Sequence, residues 1–258
     1  MAGVTHLIDG HVATITLSNP ERYNAMSLAM WNGLGDALHA LCANPHVRVV
    51  VLRGDGDRAF VSGADISEFD AQRNTGAAVA SYEAAVARAQ GALQQFPRPV
   101  IAAISGICYG GGLGLALACD IRYGAPGAKF RMPAARLGLG YTLAGVQRMV
   151  AILGVARAAE MFYTARVINA AQAAQSGLLN EIQDDVFAHA AQVAAEIAAN
   201  APMTVAAGKL TFNALLDGVD DAAEKAVDAA VKACFASADY VEGRKAFAEK
   251  RQPVFKDR

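Results

Sequence analysis

Two glycine-bearing stretches of this chain have the residue types to do chemistry through their backbone. They are Phe60-Val61-Ser62-Gly63-Ala64-Asp65-Ile66 and Gly110-Gly111-Gly112-Leu113-Gly114. Each follows an apolar run that reads as a strand, and each leads into a helix. The first amides of a helix have no intrahelical acceptor and sit at the positive end of its dipole, so they are preorganised donors for a negative oxygen. Two such donors aimed at one point make an oxyanion hole, often the largest single term in catalysis.

Other uses of these glycines can be weighed from spacing. A dinucleotide fingerprint needs G-x-G-x-x-G/A and an acid about twenty residues on. Counted from Gly110 or Gly112, the third small residue falls on Leu115 or Leu117, and the nearest acid, Asp120, comes too soon. A Walker-type phosphate loop fails because no Gly-Lys-Ser/Thr follows. Close packing of a buried helix at Gly110 to Gly114, and a plain turn into a helix at Phe60 to Asp65, stay open.

The elements that must position these stretches follow from periodicity and punctuation. Two short strands, His6 to Asp9 and His11 to Ser18, are joined by the hairpin signal Asp9-Gly10. Pro20 to Asn24 reads as a loop, and Ser27 caps a helix to about Ala43. Val47 to Arg53 and Val100 to Ile104 read as buried strands. A helix over Gly76 to Gln95 ends at Pro97 and Pro99. The triple glycine opens a helix to about Cys119, and Ile121 to Tyr123 and Lys129 to Arg131 are short strands. Beyond Tyr141 helices dominate: Ala144 to Leu153, Ala156 to Tyr163, Ala170 to Ser176, Val186 to Asn200, Pro202 to Leu216, Asp221 to Ala236 and Tyr240 to Arg251. The pattern predicts an α/β core over residues 1–195 and a helical C-terminal region over 196–258. No sequence repeat of fixed period is present, although strand-strand-helix units can recur without one.

Composition narrows the function classes. At 54% hydrophobic and 18% charged residues, the 258-residue chain must bury a substantial core. A net charge of −1 argues against nucleic-acid binding, which calls for a basic face. A small basic group, Arg244, Lys245, Lys250, Arg251, Lys256 and Arg258, reads as a solvated helix face or a phosphate contact. Cys42, Cys108, Cys119 and Cys234 have no metal-ligand spacing and fit reduced thiols in a cytoplasmic setting. No membrane-spanning apolar run is present, so no membrane partner is expected.

Ordered motifs along the chain resemble the crotonase superfamily, the enoyl-CoA hydratase/isomerase family. They are Asn19-Pro20 with Asn24-Ala25, Ser62-Gly63-Ala64-Asp65-Ile66, Pro99 through Gly106, Gly110-Gly111-Gly112, Cys119-Asp120, Gly145 with Gln147-Arg148, Ala174 with Gly177-Leu178, and Glu242-Gly243, Ala246-Phe247, Glu249-Lys250-Arg251 and Phe255. The resemblance implies a spiral of ββα units, a C-terminal helical region that builds a homotrimer or a hexamer of two trimers, and an acyl-CoA thioester as substrate. CoA is then part of the substrate, and no separate cofactor or metal is expected. Matched residue by residue, the oxyanion-hole amides are those of Ala64 and Gly111. The resemblance places CoA along Arg22, Asn24 and Ala25 and along Ser62, Gly63, Asp65 and Ile66, with Gly110 and Ala134 also lining the site. It turns the terminal basic group into a contact for CoA phosphates, across a subunit boundary.

The chain departs from the family's hydratases where their two glutamates stand. One position, three residues after the oxyanion-hole glycine, is Gly114, and the other, after Pro133, is Ala134. Neither residue can carry a proton, and general acid–base catalysis is worth ~10²–10⁴-fold per group, so efficient hydration is not expected. An aspartate used by some relatives is here Thr142. Tyr141 is the remaining candidate, with Tyr109, Arg131, Arg136 and Thr142 near it in sequence. The segment Leu137 to Gly145 is similar to one in methylmalonyl-CoA decarboxylases of the superfamily, which implies decarboxylation of a malonyl-type thioester with Tyr141 as orienting group or proton donor. That comparison is incomplete, because the decarboxylase pattern has histidine at Ala64 and an acid at Gly114. A non-catalytic acyl-CoA-binding subunit is a third reading, and none of the five histidines is assigned a role.

Overall fold

The computed structural model describes residues 2–65 and 76–256. Strands β1 (Gly3–Asp9) and β2 (Val12–Ser18) form the expected hairpin, closed at Gly10 with a φ of 55° that suits glycine. Pro20–Arg22, expected as loop, makes one 3-10 turn. Helix α1 (Leu28–Ala43) starts where Ser27 Oγ accepts a hydrogen bond from the Met30 amide.

The centre of the chain repeats one unit three times. Strands β3 (Val49–Gly54) and β4 (Ala59–Val61) are followed by α2 (Gly76–Gln94). Strands β5 (Val100–Ile104) and β6 (Ile107–Tyr109) are followed by α3 (Gly111–Ala118). Strands β7 (Ile121–Gly124) and β8 (Lys129–Arg131) are followed by α4 (Ala134–Leu137). The first strand of each unit joins a six-stranded sheet and the second joins a four-stranded one. With β9 (Ile168–Asn169) and β10 (Glu181–Ile182), the sheet orders are β1-β2-β3-β5-β7-β10 and β4-β6-β8-β9. Of the second strands, β8 was read from the sequence at its observed bounds, whereas β4 and β6, each only three residues long, were not legible as separate elements.

Both faces of β3 are covered, as its unbroken apolar run requires. Val50 and Leu52 enter the main core with Trp31, Leu34 and Phe60, whereas Val49 and Val51 pack against Ala190, Ala194 and Ala198. Those alanines lie on α7 (Val186–Ala198), so the division expected after residue 195 falls inside a helix that belongs with the sheet. Helix α5 (Leu143–Thr164) is broken at Gly154, with φ 71° and ψ 160°, matching the two segments read from sequence. Helix α6 (Ala170–Gln175) is fixed by a capping box between Asn169 and Gln172. Helices α8 (Pro202–Asp217), α9 (Asp221–Ala236) and α10 (Ala238–Glu249) complete the chain. The last stops short of the expected Arg251 because Lys250 turns left-handed.

Helix α8 is tied to the core by Lys209, whose Nζ donates to Arg98 O at 2.9 Å and to Asp120 Oδ2 at 2.7 Å. Asp120 Oδ2 also accepts from the Val100 amide, so one carboxylate fixes both α8 and the head of β5. No described helix is long and apolar enough to cross a membrane.

Candidate functional site

Strands β4, β6 and β8 run parallel, and their carboxyl ends all open on the same edge of the smaller sheet. Ligand sites in parallel sheets form at that edge, where the loops are. The three loops that leave it touch one another. A Cβ built on Gly110 would lie 3.6 Å from the Pro133 ring and 4.0 Å from Gly63 Cα. Gly110 itself has φ 51° and ψ −114°, a conformation that only glycine adopts without strain, and its amide donates to Arg131 O at 2.9 Å. Gly63 is likewise at φ 126°, with Tyr109 O 3.6 Å from where its Cβ would be. The two glycine stretches that are far apart in sequence therefore meet backbone to backbone.

The direction of each amide follows from its partners. Met26 and Ala64 form a parallel bridge in which the Met26 amide donates to Gly63 O at 2.8 Å and the Asp65 amide donates to Met26 O at 3.0 Å. Backbone groups alternate across an extended chain, so the intervening Ala64 amide faces away from Met26. Gly111 is the first residue of α3, and its amide is one of those the helix leaves without an internal acceptor. The Cβ position of Gly111 lies 4.0 Å from the Gly63 carbonyl carbon, so the Ala64 and Gly111 amides belong to adjoining backbone.

A buried polar chain holds this arrangement from below. Trp31, the only tryptophan, sits with Cζ2 3.1 Å from the Gly111 Cβ position. Its Nε1 donates to Tyr82 Oη at 2.8 Å, and Tyr82 Oη donates to Met26 O at 3.3 Å. Sequence reasoning missed Trp31, Tyr82 and Met26. A lone tryptophan opposite a triple glycine was a usable signal, whereas nothing in the sequence links Tyr82 to residue 26.

The segment Arg22 to Ala25 lies against the Ser62 to Asp65 loop. Arg22 Nη1 pairs with Asp65 Oδ1 at 3.1 Å, Ser62 Oγ donates to Arg22 O at 3.1 Å, and the Ser62 amide donates to Tyr23 O. Arg58 stacks over the Tyr23 ring at 4.4 Å. Asn24 is buried beneath this loop. Its amide nitrogen donates to Asp55 O and Ala59 O, and its Oδ1 accepts from the Asn19 amide. The Asn24 side chain is thus part of the scaffold, and Ala25 beside it is buried as well. Ile66 lies outside the described residues.

On the third loop, Ala134 is buried as the first residue of α4. Tyr141 is 40% exposed, packs edge-to-face on Phe162 at 5.5 Å, and has Cδ1 3.1 Å from the Gly145 Cβ position. Arg131 Nε is committed to Ala165 O at 2.7 Å, and Thr142 caps α5 through the Gly145 amide. In the terminal basic group, Arg251 is engaged by Glu242 and Glu249, and Arg244 lies 5.7 Å from the Tyr240 ring.

Two buried thiols lie in the neighbouring core. Burial raises Cys108 well above the usual range and pushes Cys119 up to about 12, so both stay protonated and unreactive at neutral pH. Among the described residues no group of three or more His, Cys, Asp or Glu could hold a metal ion. A separate apolar cavity of about 670 Å³ lies between α8, α9, α10 and Phe255, lined by Val231, Phe235, Tyr240 and Phe247, and shares no residue with the strand-end loops.

Comparison with known proteins gives a consistent answer. The profile of the enoyl-CoA hydratase/isomerase family matches residues 8–258. The chain is 33% identical over 254 residues to crotonyl-CoA hydratase of Syntrophomonas wolfei, covering 95% of this chain and 94% of that protein. Among solved structures, an enoyl-CoA hydratase/carnithine racemase from Magnetospirillum magneticum superposes with TM-score 0.91 at 36% identity, covering 100% and 97% of the two chains. An enoyl-CoA hydratase from Bacillus anthracis gives TM-score 0.92 at 32% identity, covering 99% of each.

Proposed function

The chain belongs to the enoyl-CoA hydratase/isomerase family, and from that premise we propose that it binds an acyl-CoA thioester and stabilises its enolate between the Ala64 and Gly111 amides. The observation that carries this reading is the meeting of Gly63 with Gly110 and Gly111 at the carboxyl edge of the smaller sheet. As the thioester carbonyl gains electron density, two fixed donors offset the developing charge without reorganising. The surface around Arg22, Ser62 and Asp65 receives the CoA portion, and the step needs no cofactor beyond the substrate.

The reaction run on that enolate is set by the groups beside it. Gly114 and Ala134 supply no proton, so hydration at enzyme-like rates is not expected. Decarboxylation of a malonyl-type thioester is the second reading. The substrate's own C–C bond supplies the electrons as CO₂ leaves, and the enolate then takes one proton. The partial exposure of Tyr141 on the loop after α4 favours it, because a phenol there can orient the leaving carboxylate or give that proton. A binding subunit without turnover is the third.

The test is a panel of acyl-CoAs incubated with the purified protein, with products identified by mass spectrometry. CO₂ release from a malonyl-type thioester that disappears in Tyr141→Phe supports decarboxylation. Hydration of crotonyl-CoA at ~1–10³ s⁻¹ contradicts the argument from missing acids, and tight binding without products points to the third reading. The apolar side chains exposed on the C-terminal helices, Phe212, Leu215 and Phe247 among them, support assembly as a trimer or hexamer.

A further inference from the structure

The geometry points to Gln90 as a specificity-determining residue that hydrogen bonds an oxygen on the third carbon of the acyl chain. This inference rests on the acyl-CoA reading above and extends it to the substrate class, an acyl-CoA oxygenated at C3. Gly114 lies one helical turn beyond Gly111 on α3, so the two positions face the same side of the helix. A Cβ built at Gly114 would lie 2.5 Å from Gln90 Nε2, 3.5 Å from its Cδ and 4.0 Å from its Oε1. The Gln90 carboxamide therefore occupies the space that a side chain at 114 would take.

Helix α2 aims it there. Ala85, Ala89 and Leu93 are buried against the core, and Gln90 follows at the edge of that stripe, half-buried, alongside α3. Tyr82 on the same helix braces Trp31 under Gly111, so α2 supports both ends of the turn from 111 to 114. Three residues of helix rise about 4.5 Å. A thioester carbonyl at the Gly111 amide thus puts the next carbons of the acyl chain alongside the carboxamide. A primary amide offers both donors and an acceptor and does not titrate, so it can recognise a keto or hydroxyl oxygen without exchanging a proton with it.

Calorimetric titration of the intact protein with butyryl-CoA and with 3-oxobutyryl-CoA tests this. A single hydrogen bond to a neutral group predicts that wild type prefers the 3-oxo ligand by ~5–10-fold. In Gln90→Leu that preference falls to within about twofold while butyryl-CoA binding persists. Gly114→Ala, whose methyl displaces Nε2, reproduces the loss and carries the test if Gln90→Leu does not fold. A preference that survives in the folded variants, or is absent from wild type, overturns the role of Gln90. If wild type binds neither thioester, the acyl-CoA reading itself falls and takes this inference with it.

Discussion

Gly112 has no room for a side chain, since a Cβ there would collide with Val61 O and lie 2.7 Å from Val61 Cβ. Gly112→Ala must lift the start of α3 off β4 and carry the Gly111 amide with it. Loss of one oxyanion donor is worth ~10²–10³ in turnover. Steady-state rates on whichever acyl-CoA the product survey identifies should fall by that factor, with CoA binding retained. Asn24→Ala acts on the same site through stability. It strands Asp55 O, Ala59 O and the Asn19 amide, at a cost of about 1–3 kcal/mol read by urea denaturation. At this scale the sequence was informative about backbone and poor about side chains. The glycines at 63 and 110–112 announced themselves because positive φ and close approach admit nothing else. Asn24 was read as a ligand contact, and only its partners reveal that it braces the loop from beneath. Gln90 carried no signal, because what matters there is the absence of a side chain twenty-four residues away at Gly114.

The same contrast appears among the elements. Long apolar runs such as Val49–Gly54 and Val100–Ile104 were legible as strands because both their faces are buried. Their partners Ala59–Val61 and Ile107–Tyr109 are too short to show a period of two, yet they carry the site-forming loops. Apart from the one-turn α4, which was not read, the helices were found with ends accurate to a few residues, and Ser27, Asn169, Asp220 and Ser237 cap four of them. What the helices attach to was not legible. Lys209 is the case in point, as burial lowers its pKa while Asp120 raises it. Lys209→Ala leaves Asp120 without its cation and should cost about 3 kcal/mol, somewhat less where Asp120 reaches solvent. Hydrogen exchange should then report early opening of α8 from β5.

For the whole molecule, the C-terminal helices expose apolar surface of the kind that marks protein contacts, including Phe247 at 87% exposure. Sedimentation should give three or six times the 26.8 kDa chain mass, and Phe247→Asp should lower it. Acid should also release the tail that follows α10. Hydrogen bonds from Arg251 and from the Val254 amide hold Glu242 at about 2, below its ordinary 4.5. A carboxylate depressed on folding contributes stability that is present above the ordinary value and is lost as pH falls from 4.5 toward 2. Proteolysis of residues 252–256 should therefore rise across that window, and Glu242→Gln should remove the dependence. The central claim, that two backbone amides polarise one thioester carbonyl, is tested most directly by isotope-edited infrared spectroscopy of butyryl-CoA labelled with ¹³C at the carbonyl. Its stretching frequency should drop on binding relative to the free thioester in water, as strong preorganised hydrogen bonds require. An unchanged frequency in the bound ligand would contradict the account.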